Sequence, residues 1–215
     1  MPLKERTQLI IHILDKYYPQ PQASLVYTTP FTLLIATLLS AQCHDEQVNR
    51  VTPQLFEKAD TPQKMALLSE ETIGQLIYSC GFYRTKAHYI RELSEQLCVL
   101  RNGIVPNNFE DLEKLSGVGH KTASVVLGHA FGIPTFPVDT HVRRLAIRWG
   151  LSRGPSVERV EHDLKNIFSQ NTWFKRHIQM ISYGRQFCNH QTCNQKHSCE
   201  ICFALKTMRQ TLHRA

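Results

Sequence analysis

Residues 115–127 read LSGVGHKTASVVL, and the fold of the chain turns on this stretch. Two glycines, Gly117 and Gly119, interrupt segments that are helical in pattern on both sides, FEDLEKL before them and HKTASVVLGHAF after. Glycine supplies torsions and a closeness of approach that a side chain would block. Amides exposed by such a turn at a helix start form an anion site, well matched to one phosphate of a nucleic-acid backbone. The pattern is helix, hairpin, helix. Taken alone, it fits equally a plain connection between two helices with glycine caps.

Lys121 stands in the first turn of the second helix. An ordinary lysine is protonated near neutrality and is then no nucleophile. The positive end of the helix dipole disfavours an ammonium, and partial burial at this position would act in the same direction. Such a lysine is badly placed for helix stability and well placed to be an amine; the alternative is a lysine that simply meets a phosphate. Downstream, two prolines bracket Ile133-Pro134-Thr135-Phe136-Pro137-Val138, which therefore cannot be helical throughout. Asp139 follows at an N-cap position, opening a helix over 140–150. Held on a rigid connection, its carboxylate could take a proton from an amine or steady a developing positive charge, or could serve as a cap and nothing more. Spacing alone does not bring Asp139 to Lys121.

The same helical period runs through the rest of the chain. Leu9, Ile10, Ile13, Leu14, Tyr17 and Tyr18 make one apolar face, stopped by Pro19. The segment from Pro30 to about Gln42 is apolar on nearly all sides and predicts a central helix. Amphipathic pieces follow at 45–58, 62–68, 70–79 and 84–100, and Asn107-Asn108 begins FEDLEKL. Later helices are expected at about 156–169 and 173–186, the second being the last. Period-two alternation is nearly absent and no internal repeat of fixed period occurs. The predicted class is all-α.

With 215 residues, 42% of them hydrophobic, the chain can bury one large core or two small ones, and it has no low-complexity tract. Its net charge of +7 favours an anionic partner: a nucleic acid, an anionic membrane, or none beyond a basic surface. The most apolar window, FTLLIATLLSA, is about half of a membrane span and suits a buried helix. The N-terminal apolar run is broken by His12 and Asp15 and lacks a cleavage site, so a soluble cytoplasmic protein is the expectation. Of the seven cysteines, Cys43, Cys80 and Cys98 have the surroundings of small core residues. Cys188, Cys193, Cys199 and Cys202 crowd near the C-terminus, where in a cytoplasmic chain they point to a metal site rather than to disulfides.

Five separated stretches in order, PFTLLIATLLSAQ, GFYRTKA, LSGVGHKTASVVL, FPVDTHVRRLA and the cysteine-rich tail after YGR, resemble the endonuclease III family of bacterial DNA glycosylase and AP lyase enzymes over essentially the whole chain. The resemblance implies two helical domains flanking a DNA-binding cleft. One would be a helical barrel of residues 23–134 carrying the helix-hairpin-helix; the other would combine 1–22 with 135–215 and hold an iron–sulfur cluster. Lys121 and Asp139 would face each other across the cleft. A damaged, oxidised pyrimidine would be flipped from double-stranded DNA, at a cost that damage reduces. Lys121 would attack C1′ and form a Schiff base, Asp139 would assist, and β-elimination would cut the strand 3′ to the abasic site. Gln42 resembles the residue that fills the gap left in the duplex. Phe82 stands at the family's apolar wedge, with core packing as its alternative. His141 is a candidate for the pocket, and Gly117, Gly119 and His120 for the phosphate contact. No obligate protein partner is implied; a cytoplasmic, nucleoid-associated monomer is expected.

The sequence departs from the family pattern in three places. Ser116 replaces the usual proline, a loss of turn stiffness. His120 stands where a fully charged side chain is common, making its DNA contact sensitive to pH. In CNHQTCNQKHSCEICFALKTM, the usual last ligand position holds Met208, and Cys193 is additional. The simplest account is a [4Fe-4S] cluster on Cys188, Cys193, Cys199 and Cys202. Zinc on the same four is the runner-up, with His190 or His197 able to replace one cysteine; a tail without metal is the third.

Three other functions remain open. A non-lyase glycosylase of the same superfamily has no lysine at the hairpin. A non-enzymatic helix-hairpin-helix DNA-binding protein needs the glycines but not Lys121 with Asp139. A redox protein acting through the metal site leaves the hairpin and the basic charge unexplained.

Overall fold

The computed structural model describes residues 2–189, Cys193 and residues 199–212. Among these there is no strand, and the class is all-α. The helices are α1 (Leu3–Tyr17), α2 (Pro30–Leu39), α3 (Asp45–Lys58), α4 (Pro62–Ala66), α5 (Glu70–Leu76), α6 (Tyr83–Arg101), α7 (Phe109–Leu112), α8 (His120–Ala130), α9 (Thr140–Arg148), α10 (Val157–Ile167), α11 (Trp173–Gln186) and α12 (Glu200–Leu212). No described helix is long and apolar enough to cross a membrane. The chain divides into two compact units, Ala23–Ile133 and Met1–Gln22 with Pro134–Ala215.

The contiguous unit is built round α2. Thr29 caps it by accepting from the Thr32 amide, while the Thr32 hydroxyl takes the Thr29 amide in return, and Pro30 fits the first turn because that position has no amide to lose. Every residue from Phe31 to Leu39 is buried, against α8 and α6 among others. The helix stops at Leu39, earlier than the expected Gln42. The Ser40 hydroxyl bonds back to the Thr37 carbonyl at 2.8 Å, and Gln42 is left-handed, with φ +53°. Of the three cysteines expected in the core, Cys80 is buried, whereas Cys43 and Cys98 are half-buried.

The discontinuous unit packs α1, α9, α10, α11 and α12 round Trp149, Tyr183 and Phe136. One buried polar network joins two of these helices: Arg176, on α11, donates to both carboxylate oxygens of Asp15, on α1, at 2.8 and 3.0 Å. Gln179 adds donors to Asp15 and to the carbonyls of Leu14 and Tyr18. A bidentate guanidinium–carboxylate pair fixes orientation as well as charge.

The last helix was not the one ending near 186: α12 follows the cysteines. Its first amides are met by side chains, with the Cys199 sulfur accepting from the Cys202 amide and the Tyr183 hydroxyl accepting from the Ile201 amide at 3.2 Å. At the first residue of the helix, Glu200 is gripped by Lys16 and by the Tyr17 hydroxyl of α1.

Candidate functional site

The hairpin is assembled from local rules. Asn108 caps α7 by accepting the Asp111 amide at 2.9 Å, and Leu112, Leu115 and Val118 anchor the turn in the core. Gly117 has φ +73°, and a Cβ there would lie 2.8 Å from the Tyr89 ring, so both torsion and space demand glycine. Gly119 differs: its φ is ordinary, and a Cβ there would meet nothing within 4 Å. That open surface lies at the N-terminus of α8. Ser116 is not simply a looser proline. Its amide donates to the Gln96 side-chain oxygen at 2.9 Å and its hydroxyl accepts from the Gln96 amide at 3.1 Å. Proline could make neither bond.

His120 opens α8, stacked on Phe109 with ring centroids 4.8 Å apart and its Nδ1 2.7 Å from Glu113. Lys121 comes next, at the second position of α8. The partial burial expected of it is not found: the residue is exposed.

Asp139 is half-buried in the discontinuous unit and caps α9, its Oδ1 accepting the Val142 amide at 2.7 Å. It follows the non-helical segment expected from the two prolines, with Thr135 to Val138 buried. His141, also half-buried, lies two residues into α9.

Gln42 and Phe82 are brought together within the contiguous unit. Both are exposed and both are left-handed, Phe82 with φ +58°. At 66% exposure Phe82 is no core residue. Gly81, beside it, lies so close to the Gln42 carbonyl that a Cβ would contact that oxygen at 3.5 Å. A left-handed phenylalanine is strained by about 1–3 kcal/mol, and such strain clusters at functional sites.

Four cysteines converge. Cys188 is 3.3 Å from Cys193 and 3.7 Å from Cys202 between sulfurs, and Cys193 is 3.3 Å from Cys202. With Cys199 included, all four sulfurs lie within 4.8 Å of one another. Arg148 donates to the Cys188 sulfur at 3.5 Å, and Arg144 donates to the Cys188 carbonyl. Hydrogen bonds from the thiols of Cys199 and Cys202, and then from Arg148, hold Cys188 far below the ordinary thiol range. Four thiolate-capable donors in one place can hold a metal. His190 and His197 lie outside the described residues. Sequence reasoning missed Arg144, Arg148 and Tyr183 as the cluster's supports; the i, i+4 spacing of the two arginines was the available signal.

Such a chain is a helix-hairpin-helix protein with four clustered cysteines that could hold a metal. Residues 35–181 match the HhH-GPD superfamily of base excision DNA repair proteins. Endonuclease III of Synechocystis sp. is 44% identical over 86% of this chain and 85% of its own length, and that of Rickettsia felis is 43% identical over 90% and 89%. Among solved structures, a trapped covalent intermediate of endonuclease III with DNA superposes with a TM-score of 0.88 at 40% identity, covering 97% of this chain and 100% of that one. A non-covalent endonuclease III–DNA complex gives 0.89 at the same identity, covering 98% and 100%. The chain therefore belongs to the HhH-GPD superfamily of base excision DNA repair proteins and, within it, to the endonuclease III family of DNA glycosylases.

Proposed function

We propose that this chain removes oxidised pyrimidines from double-stranded DNA and then cuts the strand as an AP lyase, with Lys121 as the amine and Asp139 as its assistant. The observation that carries the reading is Lys121 itself, an exposed lysine at the positive end of α8 directly after a glycine turn with open space at Gly119. The backbone amides of a helix N-terminus favour a phosphate alongside the lysine, which would bring a DNA backbone within its reach.

The Lys121 Nζ lone pair would form a bond to C1′ of the flipped nucleotide as the glycosidic bond breaks and the base leaves with that electron pair, taking up a proton. Asp139 would accept the proton lost by the attacking amine. Opening of the C1′–O4′ bond gives the imine, with O4′ protonated. Loss of a C2′ proton then expels the 3′ phosphate, and water finally releases the amine. A covalent DNA intermediate has been trapped for the relative that is 40% identical, which is the kind of species this step requires. Gln42 and Phe82 would enter the gap in the duplex, and the hairpin with His120 would hold one phosphate, with His141 near the pocket. The enzyme would work as a monomer on the bacterial nucleoid.

For the metal, the proposal is a [4Fe-4S] cluster on Cys188, Cys193, Cys199 and Cys202, a thiolate set that suits it. When bound, it would fix the start of α12. Zinc is the second reading, and a specific observation favours it: Zn–S bonds of about 2.3 Å in a tetrahedron put sulfurs about 3.8 Å apart, close to the 3.3 and 3.7 Å found. Iron, sulfide and zinc analysis of purified protein decides between them.

Borohydride added to a mixture of the protein with an abasic-site duplex tests the lyase. A gel-stable adduct from the wild type that disappears in Lys121→Ala supports it. A folded, DNA-binding wild type that gives no adduct refutes it and leaves a non-lyase glycosylase.

A further inference from the structure

The residue with most left to explain in the contiguous unit is Lys86. It is buried, at 4% exposure, although lysine is almost never buried without a compensating partner. Its Nζ donates at 2.9 Å to the carbonyl of Leu39, the last residue of α2. Carbonyls there have no acceptor role within the helix and carry the negative end of its dipole, so an ammonium suits them. The backbone of the same residue donates at 3.0 Å to the Phe82 carbonyl, closing the first turn of α6. Lys86 thus holds the end of α2 with its side chain and the wedge residue with its main chain.

The surroundings tie the same two turns again. Gly81 lies against the Gln42 carbonyl, and Cys43 and Cys80, one residue beyond Gln42 and two before Phe82, are close enough that, after burial, Cys43 helps to raise the pKa of the Cys80 thiol. Burial pushes the Lys86 ammonium's pKa down while those thiols oppose the shift. For stability alone a methionine would fill this space without a buried charge, so the donor needs another purpose.

We propose that Lys86 is a positioning residue: it locks the turns carrying Gln42 and Phe82 into the strained, exposed arrangement from which both enter a duplex. Strain of this kind persists only where the surrounding structure over-determines it. The inference rests on the proposed roles of Gln42 and Phe82.

The test uses the full chain and a duplex in which 2-aminopurine lies opposite a tetrahydrofuran abasic analogue, so that fluorescence reports the filling of the gap. Lys86→Met keeps the stem and removes donor and charge. The amplitude should fall about ten-fold, since small misplacements are costly. Affinity for undamaged duplex, set by phosphate contacts, should change less than about two-fold. Lys86→Arg, which keeps a charged donor, should recover part of the amplitude. A folded Lys86→Met with wild-type amplitude overturns the role of Lys86 alone. A wild type without any fluorescence change overturns the reading of Gln42 and Phe82, and the proposal with it. If Lys86→Met does not fold, hydrogen exchange on the wild type decides: protected amides at Ala41 and Cys43 support the lock, and exchange at free-peptide rates overturns it.

Discussion

Gln96 holds Ser116 by two hydrogen bonds at once, 2.9 Å from its amide and 3.1 Å from its hydroxyl, and so pins the hairpin to α6. The turn is thus tethered where a proline would have stiffened it. Gln96→Ala should cost about 1–2 kcal/mol in urea unfolding, for two modest bonds and a half-buried amide left without its partner. Ser116→Pro should cost a similar amount despite restoring a stiffer residue. Ser116→Pro more stable than the wild type would show that the tether contributes nothing.

The two hairpin glycines should separate folding from binding. Gly117→Ala meets the Tyr89 ring and a left-handed torsion, and the torsion alone costs roughly 1–2 kcal/mol. Gly119→Ala meets open space, so its stability should be unchanged within about 0.5 kcal/mol. If a phosphate approaches that surface, duplex affinity should nevertheless fall. Melting curves and anisotropy titrations on both variants check this; unaltered DNA binding by Gly119→Ala would remove the phosphate from that surface.

Asp139 combines a structural role with a proposed chemical one, and asparagine separates them. Asparagine caps a helix about as well as aspartate, whereas alanine loses about 1 kcal/mol. Asp139→Asn should therefore keep the melting temperature and lose most of the base-excision rate, because an amide cannot accept the amine's proton. Near-wild-type turnover by Asp139→Asn would reduce Asp139 to a cap.

Acid should act on the discontinuous unit through Asp15. Burial would raise its pKa, but hydrogen bonds from Arg176, Lys175 and Gln179 outweigh that and hold the carboxyl well below its usual range. Its folded pKa is thus depressed. The stability it contributes is fully present above the unfolded value of about 3.9 and is lost as pH falls below it. Asp15→Asn should cost about 2 kcal/mol at neutral pH, since it leaves Arg176 buried against a neutral amide. The gap between variant and wild type should begin to narrow as pH falls below about 4 and keep narrowing toward the depressed folded value in thermal melts; a gap that does not narrow with acid would show that the carboxylate's charge contributes little.

Most of the helices and the hairpin were legible because their signals are local. Proline at the start of α2, asparagine before α7 and two glycines before Lys121 act within a few residues. What the sequence hid is tertiary. Nothing near Lys86 announces that its ammonium is buried against Leu39 forty-seven positions away. The start of α12 was missed because its caps are Cys199, already counted as a ligand, and the distant Tyr183 hydroxyl. The exposure of Lys121 escaped for the same reason: burial depends on what the rest of the chain places overhead.

The most direct test of the account is peptide mapping of the borohydride-trapped protein–DNA complex by mass spectrometry. The reduced sugar adduct should lie on Lys121, in a tryptic peptide uncut at that position. An adduct on any other amine, or none from protein that still binds the duplex, would contradict the assignment of Lys121 as the attacking group.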